Sequence, residues 1–199
     1  SLPRTLALSF SQLVMMVLVG LASLMTVGSV AVFNFAYNLQ SVPLAIIGMS
    51  YSVAAFPTLV WQFKNGEKGL FLAQVARAAR HIIFWSLPFA TLFIVLRAQV
   101  IRVILGSGRF DWFDTRLTAA ALAVFAVSLV AQSLILLLVR GYYAAGLTKR
   151  PLFINCWSSI IVVVAAFAFR FWFWSSAEVA NFLSALLRLE AVPGLELLI

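Results

Sequence analysis

Asn34, Asn38 and Ser41 stand four and three residues apart in a stretch with no charged side chain between Arg4 and Lys64. That spacing puts them on one face of a helix, and Ala45, Gly48 and Ser52 continue it. Gln12 lies on a similar stripe with Ser9, Met16, Gly20 and Ser23. Carboxamides and hydroxyls are neutral donors and acceptors, costly in hydrocarbon unless they meet protein or line a water-filled cavity. The chemistry open to them is hydrogen bonding, either to a neighbouring helix or to a phosphate or sugar. The serines and glycines read as helix packing through small residues. Asn38 reads as a cavity residue, because a second amide one turn away makes a continuous wettable strip. Asn34, Asn38, Ser41 and Gln12 are the substrate-cavity candidates.

Arg77 and Arg80 form a second group. They fall in Gly69 to Arg80, where Leu70, Phe71, Val75 and Ala79 alternate with Gln74 and the two arginines. One reading is an interfacial helix that snorkels its guanidinium groups to lipid phosphate. The other is direct binding of a substrate phosphate. Both make Arg77 and Arg80 the phosphate or headgroup candidates. Span four adds Ser128 and Gln132, and span five adds Asn155 and Ser159.

Other chemistry lacks its residues. The single histidine, His81, falls at a membrane boundary, and the single cysteine, Cys156, sits in an apolar run. There is no Cys/His metal spacing, no glycine-rich phosphate loop and no catalytic set, so neither an enzyme, a metal site nor a cofactor is expected. Acidic residues avoid the span centres, which removes the usual carboxylate of a proton or sodium relay.

The elements that must position these groups are membrane helices. Hydrophobic residues make up 64% of the 199 residues and charged residues 10%, against roughly 25% charge in a soluble domain. A span needs roughly 20 apolar residues, and five fit: about 6–25, 32–61, 82–104, 117–139 and 152–174. Gly28 and Ser29 mark the first turn. Pro43 and Gly48 predict a kink in the long second span. An amphipathic helix is expected over 180–189 and a further span from 192 to 199. The chain opens at Ser-Leu-Pro and closes inside that apolar run, as a piece of a longer protein would. The expected fold is an all-α polytopic membrane protein, one helical bundle over 1–199. Basic residues, 14 against 6 acidic, gather at span ends rather than in a solvated patch, so nucleic acid is not an expected partner. Lys and Arg favour the side that holds Ser1, which places it in the cytoplasm.

Three stretches, in order, resemble a known family. The first is Ser29-Val-Ala-Val-Phe-Asn-Phe-Ala-Tyr-Asn-Leu-Gln-Ser-Val-Pro43, followed by Ala54-Ala-Phe-Pro-Thr-Leu59. The second is Gly106-Ser-Gly-Arg-Phe-Asp111, running through Asp114-Thr115 to Ala119. The third is Arg140-Gly-Tyr-Tyr-Ala144, leading to Thr148-Lys-Arg-Pro151. Together they are similar to the MurJ (MviN) lipid II flippases of the multidrug/oligosaccharidyl-lipid/polysaccharide exporter superfamily. The resemblance implies a two-lobe, alternating-access transporter in the bacterial inner membrane. This chain would form most of the C-terminal lobe, and a separate N-terminal lobe would be its partner. The implied cargo is the undecaprenyl-linked peptidoglycan precursor, lipid II. Relatives place an arginine where Asn38 stands and an acidic residue where Leu147 stands. Within the superfamily a drug/cation antiporter or a polysaccharide flippase is the alternative; a non-transporting membrane scaffold is another.

Overall fold

The computed structural model describes residues 2–23, 28–105 and 112–175, and all of the regular structure in them is helical. The helices are α1 (Leu2–Ser23), α2 (Ser29–Pro43), α3 (Ser50–Lys64), α4 (Lys68–Val95), α5 (Arg97–Leu105), α6 (Trp112–Ala144) and α7 (Lys149–Ser175). Four stretches are long and apolar enough to cross a membrane: Ser29–Lys64, Lys68–Val95, Thr115–Ala144 and Lys149–Ala168. The first expected span falls on α1, whose shorter apolar part is Ser11–Ser23. The segments expected over 180–189 and 192–199 lie outside the described residues.

α2 and α3 form one rod, joined by a π-helical turn at Leu44–Met49. Pro43 immediately precedes it and has no N–H to give the preceding turn, so the expected kink is realised as a wider turn. Its effect shows in the burial pattern. Ala36, Gln40, Pro43 and Ile47 are buried at α-helical steps, the turn buries Gly48 as well, and the stripe resumes from there at Ser52, Ala55 and Leu59, one residue out of register with the first half. One inserted residue has rotated α3 relative to α2.

α4 runs without interruption from Lys68 through the stretch expected to be an interfacial helix and on into the third span. Nothing between Arg80 and Ile82 stops it, since neither glycine nor proline occurs there. Pro88 lies within α4, and the Thr91 hydroxyl bonds the carbonyls of Leu87 and Pro88 at 3.1 and 2.8 Å. The rod bends instead at Leu96 (φ −93°, ψ 15°), where the polar Arg97 and Gln99 begin. The span expected over 82–104 is thus divided between α4 and α5.

Two tight turns share one geometry. After α3, Gly66 N–H bonds Phe63 C=O and Glu67 N–H bonds Gln62 C=O; after α6, Gly146 bonds Tyr143 and Leu147 bonds Tyr142 in the same pattern. Gly66 (φ 75°) and Gly146 (φ 71°) supply the left-handed residue that each Schellman turn requires.

α6 is the hub. It packs against α2, the π-turn, α3, α4 and α5, whereas α7 packs chiefly on α1. One apolar cluster joins Ala55 and Leu59 of α3 to Ala78 and Ile82 of α4 and Leu137 of α6. A second joins Ala36 of α2, Ile101 of α5, and Ala119 and Leu122 of α6. Between them the π-turn meets α6 so closely that a Cβ on Gly48 would lie 2.9 Å from Ser133 Cα. Small residues permit such backbone approach in a membrane bundle.

Candidate functional site

α2 carries two polar faces, and the fold uses them differently. Asn34 and Asn38 are exposed, and among the described residues neither carboxamide has a hydrogen-bond partner. Half-buried Ser41 donates its hydroxyl proton to the Asn38 carbonyl at 2.7 Å, which leaves it only acceptor capacity. Aromatic rings border the asparagines. Phe33 and Tyr37 are parallel with centroids 6.3 Å apart. Phe125 of α6 meets them edge-on at 5.5 and 6.0 Å. The outer face of α2 therefore offers unspent amide donors and acceptors beside aromatic surface. Gly48 and Ser52, which continue this stripe in a regular helix, are buried against the bundle because the π-turn rotates them inward.

The opposite face of α2 holds Gln40, about 200° around the helix from Asn38 and 1% exposed. Its Nε2 donates to Ser128 Oγ of α6 at 3.3 Å, and Gln132 Nε2 donates to the same oxygen at 2.7 Å. Ser128 in turn donates to the Phe125 carbonyl at 2.7 Å. Gln40 Oε1 is buried without a protein partner. Sequence reasoning did not assign Gln40 to a site. The available signal was the Ser128/Gln132 pair at i,i+4 on α6, which needs a polar neighbour on a facing helix.

The other candidates lie elsewhere. Gln12 is exposed on α1, beside Ser11, whose Oγ accepts from Asn155 Nδ2 of α7 at 3.1 Å. The Ser159 hydroxyl donates to the Asn155 carbonyl at 2.7 Å. Arg77 and Arg80 are exposed on α4, which packs on α3 and the π-turn rather than on α2. The structure therefore does not bring the arginines together with the asparagines. Among the described residues no group of three or more His, Cys, Asp or Glu side chains could hold a metal ion.

A long-helix membrane bundle with a polar outer face fits many transporters, and the sequence relationship narrows the choice. The profile of the family described as lipid II flippase MurJ matches residues 1–188. This chain belongs to the MurJ family. A probable lipid II flippase MurJ of Rickettsia prowazekii is 31% identical over 161 residues, covering 80% of this chain and 31% of that protein. One from Rhizobium tropici is 30% identical over 125 residues, 63% of this chain and 24% of its own length. The lipid II flippase MurJ of Burkholderia cenocepacia is 26% identical over 149 residues, 75% and 29% of the two chains. The chain thus spans less than a third of the length of these relatives. No solved structure matches it. MurJ proteins are multi-pass membrane flippases of peptidoglycan synthesis, transporters rather than enzymes.

Proposed function

We propose that this chain forms part of the C-terminal lobe of a lipid II flippase and that the outer face of α2 lines the route of the lipid-linked headgroup. The observation that carries this reading is the contrast within α2. Gln40 is spent on α6, whereas Asn34 and Asn38 keep their hydrogen-bonding capacity. An unspent amide pair on a membrane helix needs a wet or polar neighbour, and a pyrophosphate-linked sugar presents both acceptors and donors to it. Gln12 on the adjoining α1 extends the same wall, since α1 packs on α2. Alternating access moves this lobe against an N-terminal lobe, with the cargo between them. Arg77 and Arg80 hold membrane phosphate at the rim. The end that holds Thr148 faces the cytoplasm, so Thr148→Cys should react with an impermeant thiol reagent only after the membrane is breached.

Asn38 provides the test, in the intact protein. Asn38→Leu should cut lipid II transport while leaving expression unchanged, because it removes the donor without adding charge. Asn38→Arg should fold and transport, since a guanidinium in a wet cavity keeps its solvation and gains a phosphate. Were Asn38 a packing residue, the order would reverse: the buried, unpaired arginine would prevent folding and leucine would be harmless. An arginine variant that does not insert ends the cavity reading.

A further inference from the structure

A second site lies at the opposite flank of α6. The first turns of α4 and the last turns of α6 line an open groove of about 280 Å³. Its walls are Phe71, Leu72 and Val75 on one side and Leu138, Gly141 and Tyr142 on the other, closed at the end by Ala145 and Leu147. Apart from the Tyr142 phenol these side chains are apolar. Leu72 and Leu147 are 66% and 41% exposed, so no described helix covers the groove.

The charges around it indicate what fills it. Lys68 begins α4 three and four residues ahead of Phe71 and Leu72, which places it one turn outward on the same face. Lys149 begins α7 two residues beyond Leu147, with Arg150 next to it. All three are exposed. Glu67, half-buried beside Lys68, makes no ion pair with them, and its Oε2 is enclosed without a partner. The α3–α4 and α6–α7 turns thus bring to one end of the bundle an apolar slot and cations that make no ion pair among the described residues. A helix of protein would satisfy the slot, but the cations only if it carried carboxylates at that end. A lipid with one negative headgroup satisfies both, with its chain along the slot and its phosphate at the membrane–water boundary.

We propose that the α4–α6 groove binds an acyl chain of an anionic phospholipid, with the headgroup phosphate held by Lys68 and Lys149. Leu147 matters here because an aliphatic side chain at that position completes the apolar end wall. Arg77 and Arg80 do not line the groove and serve the general lipid surface.

The test uses the intact protein in nanodiscs of phosphatidylcholine doped with a trace of photoactivatable phospholipid. The probe is either phosphatidylglycerol or phosphatidylcholine with a diazirine in the acyl chain, and adducts are mapped by mass spectrometry. The phosphatidylglycerol probe should label 71–75 and 138–147 well above the phosphatidylcholine probe. The exposed face of α7, around Trp157 and Ile161, should take both equally. Lys68→Gln and Lys149→Gln should each lower the preference roughly fivefold, the worth of one lysine near an anionic lipid. Gly141→Leu puts a side chain into the slot from a position where an added Cβ meets nothing within 4 Å, and should abolish groove adducts while sparing those on α7. Equal labelling by the two probes, or groove adducts that survive Gly141→Leu in folded protein, would leave only ordinary lipid contact and overturn the proposal. A groove cross-linked to another segment of the protein would assign it to that segment and overturn it as well. Should the leucine variant not fold, the double Lys→Gln variant decides alone, because it leaves the slot intact and must lose the headgroup preference.

Discussion

α6 and α7 are both strongly apolar helices of membrane-spanning length, yet a third of the most apolar window of α6 is buried and only 6% of that of α7. Hydrophobicity does not separate them, because lipid tails satisfy a leucine as well as another helix does. Small residues on the packed face do so in part, set among the buried Leu122, Leu129 and Leu137 of α6. α6 buries Ala119, Ala120, Ala123, Ala126 and Ser133, which let five elements approach its backbone. α7 turns Phe153, Ile154, Trp157, Ile160, Ile161 and Phe167 outward and meets the rest of the bundle mainly through α1. In a membrane the hub is the helix that others can approach, and the rim is the helix that carries bulk.

The sharpest way to break this contrast is at the closest crossing. Gly48→Leu would drive a side chain into the Ser133 backbone, which cannot give as a flexible side chain would. The expected loss is about 3 kcal/mol or more, at the upper end for overpacked cores, read as a fall in thermal midpoint or a loss of folded protein in detergent. Val164→Leu on the exposed face of α7 adds bulk where only lipid lies and should change stability by less than about 0.5 kcal/mol. Equal effects at the two positions would mean that proximity to α6 is not what organises the bundle.

A smaller effect is expected at Gln40. Gln40→Ala opens a void between α2 and α6 and removes the bond to Ser128, at a cost of about 2 kcal/mol. Gln40→Leu keeps the volume and also removes the buried, unpartnered Oε1. Ser128 retains its bonds to Gln132 and the Phe125 carbonyl, so this variant should be within about 1 kcal/mol of the parent. Denaturant or thermal titration of both variants checks the order. A leucine variant as unstable as the alanine variant would show that a water on Oε1, rather than packing, holds this contact.

The family and the helical class were legible in the residues, because length and apolarity leave a membrane chain few alternatives. Charge and glycine marked the turns at Lys64–Lys68 and Ala144–Lys149 in the sequence, but they did not show that α4 starts at Lys68 rather than at the 82 expected for the third span. What was not legible followed from cooperative backbone choices. The π-turn after Pro43 divides the stripe from Asn34 to Ser52 into an outward and an inward half, which the spacing of a regular helix cannot show. The bend at Leu96 has no glycine or proline to announce it. Gln40 was visible as a polar residue, but its role depends on which helix faces it, and one sequence does not encode that pairing locally.

The weakest expected effect concerns the rim itself. α7 packs on α1, and the Asn155 to Ser11 hydrogen bond joins the two helices. Hydrogen bonds between membrane helices average about 0.6 kcal/mol, because the separated helices find other partners. Both residues have further contacts, so either single substitution mixes several losses. A double-mutant cycle with Ser11→Ala and Asn155→Leu isolates the pair. Its coupling energy should be about 0.6 kcal/mol in a reversible unfolding measurement in micelles, well below the cost of Gly48→Leu. A coupling above about 1.5 kcal/mol would require the pair to be shielded from competing partners as a core pair is. The α1–α7 seam would then count as a second hub rather than a rim, and small residues on α6 would no longer be sufficient to explain which helices hold this bundle together.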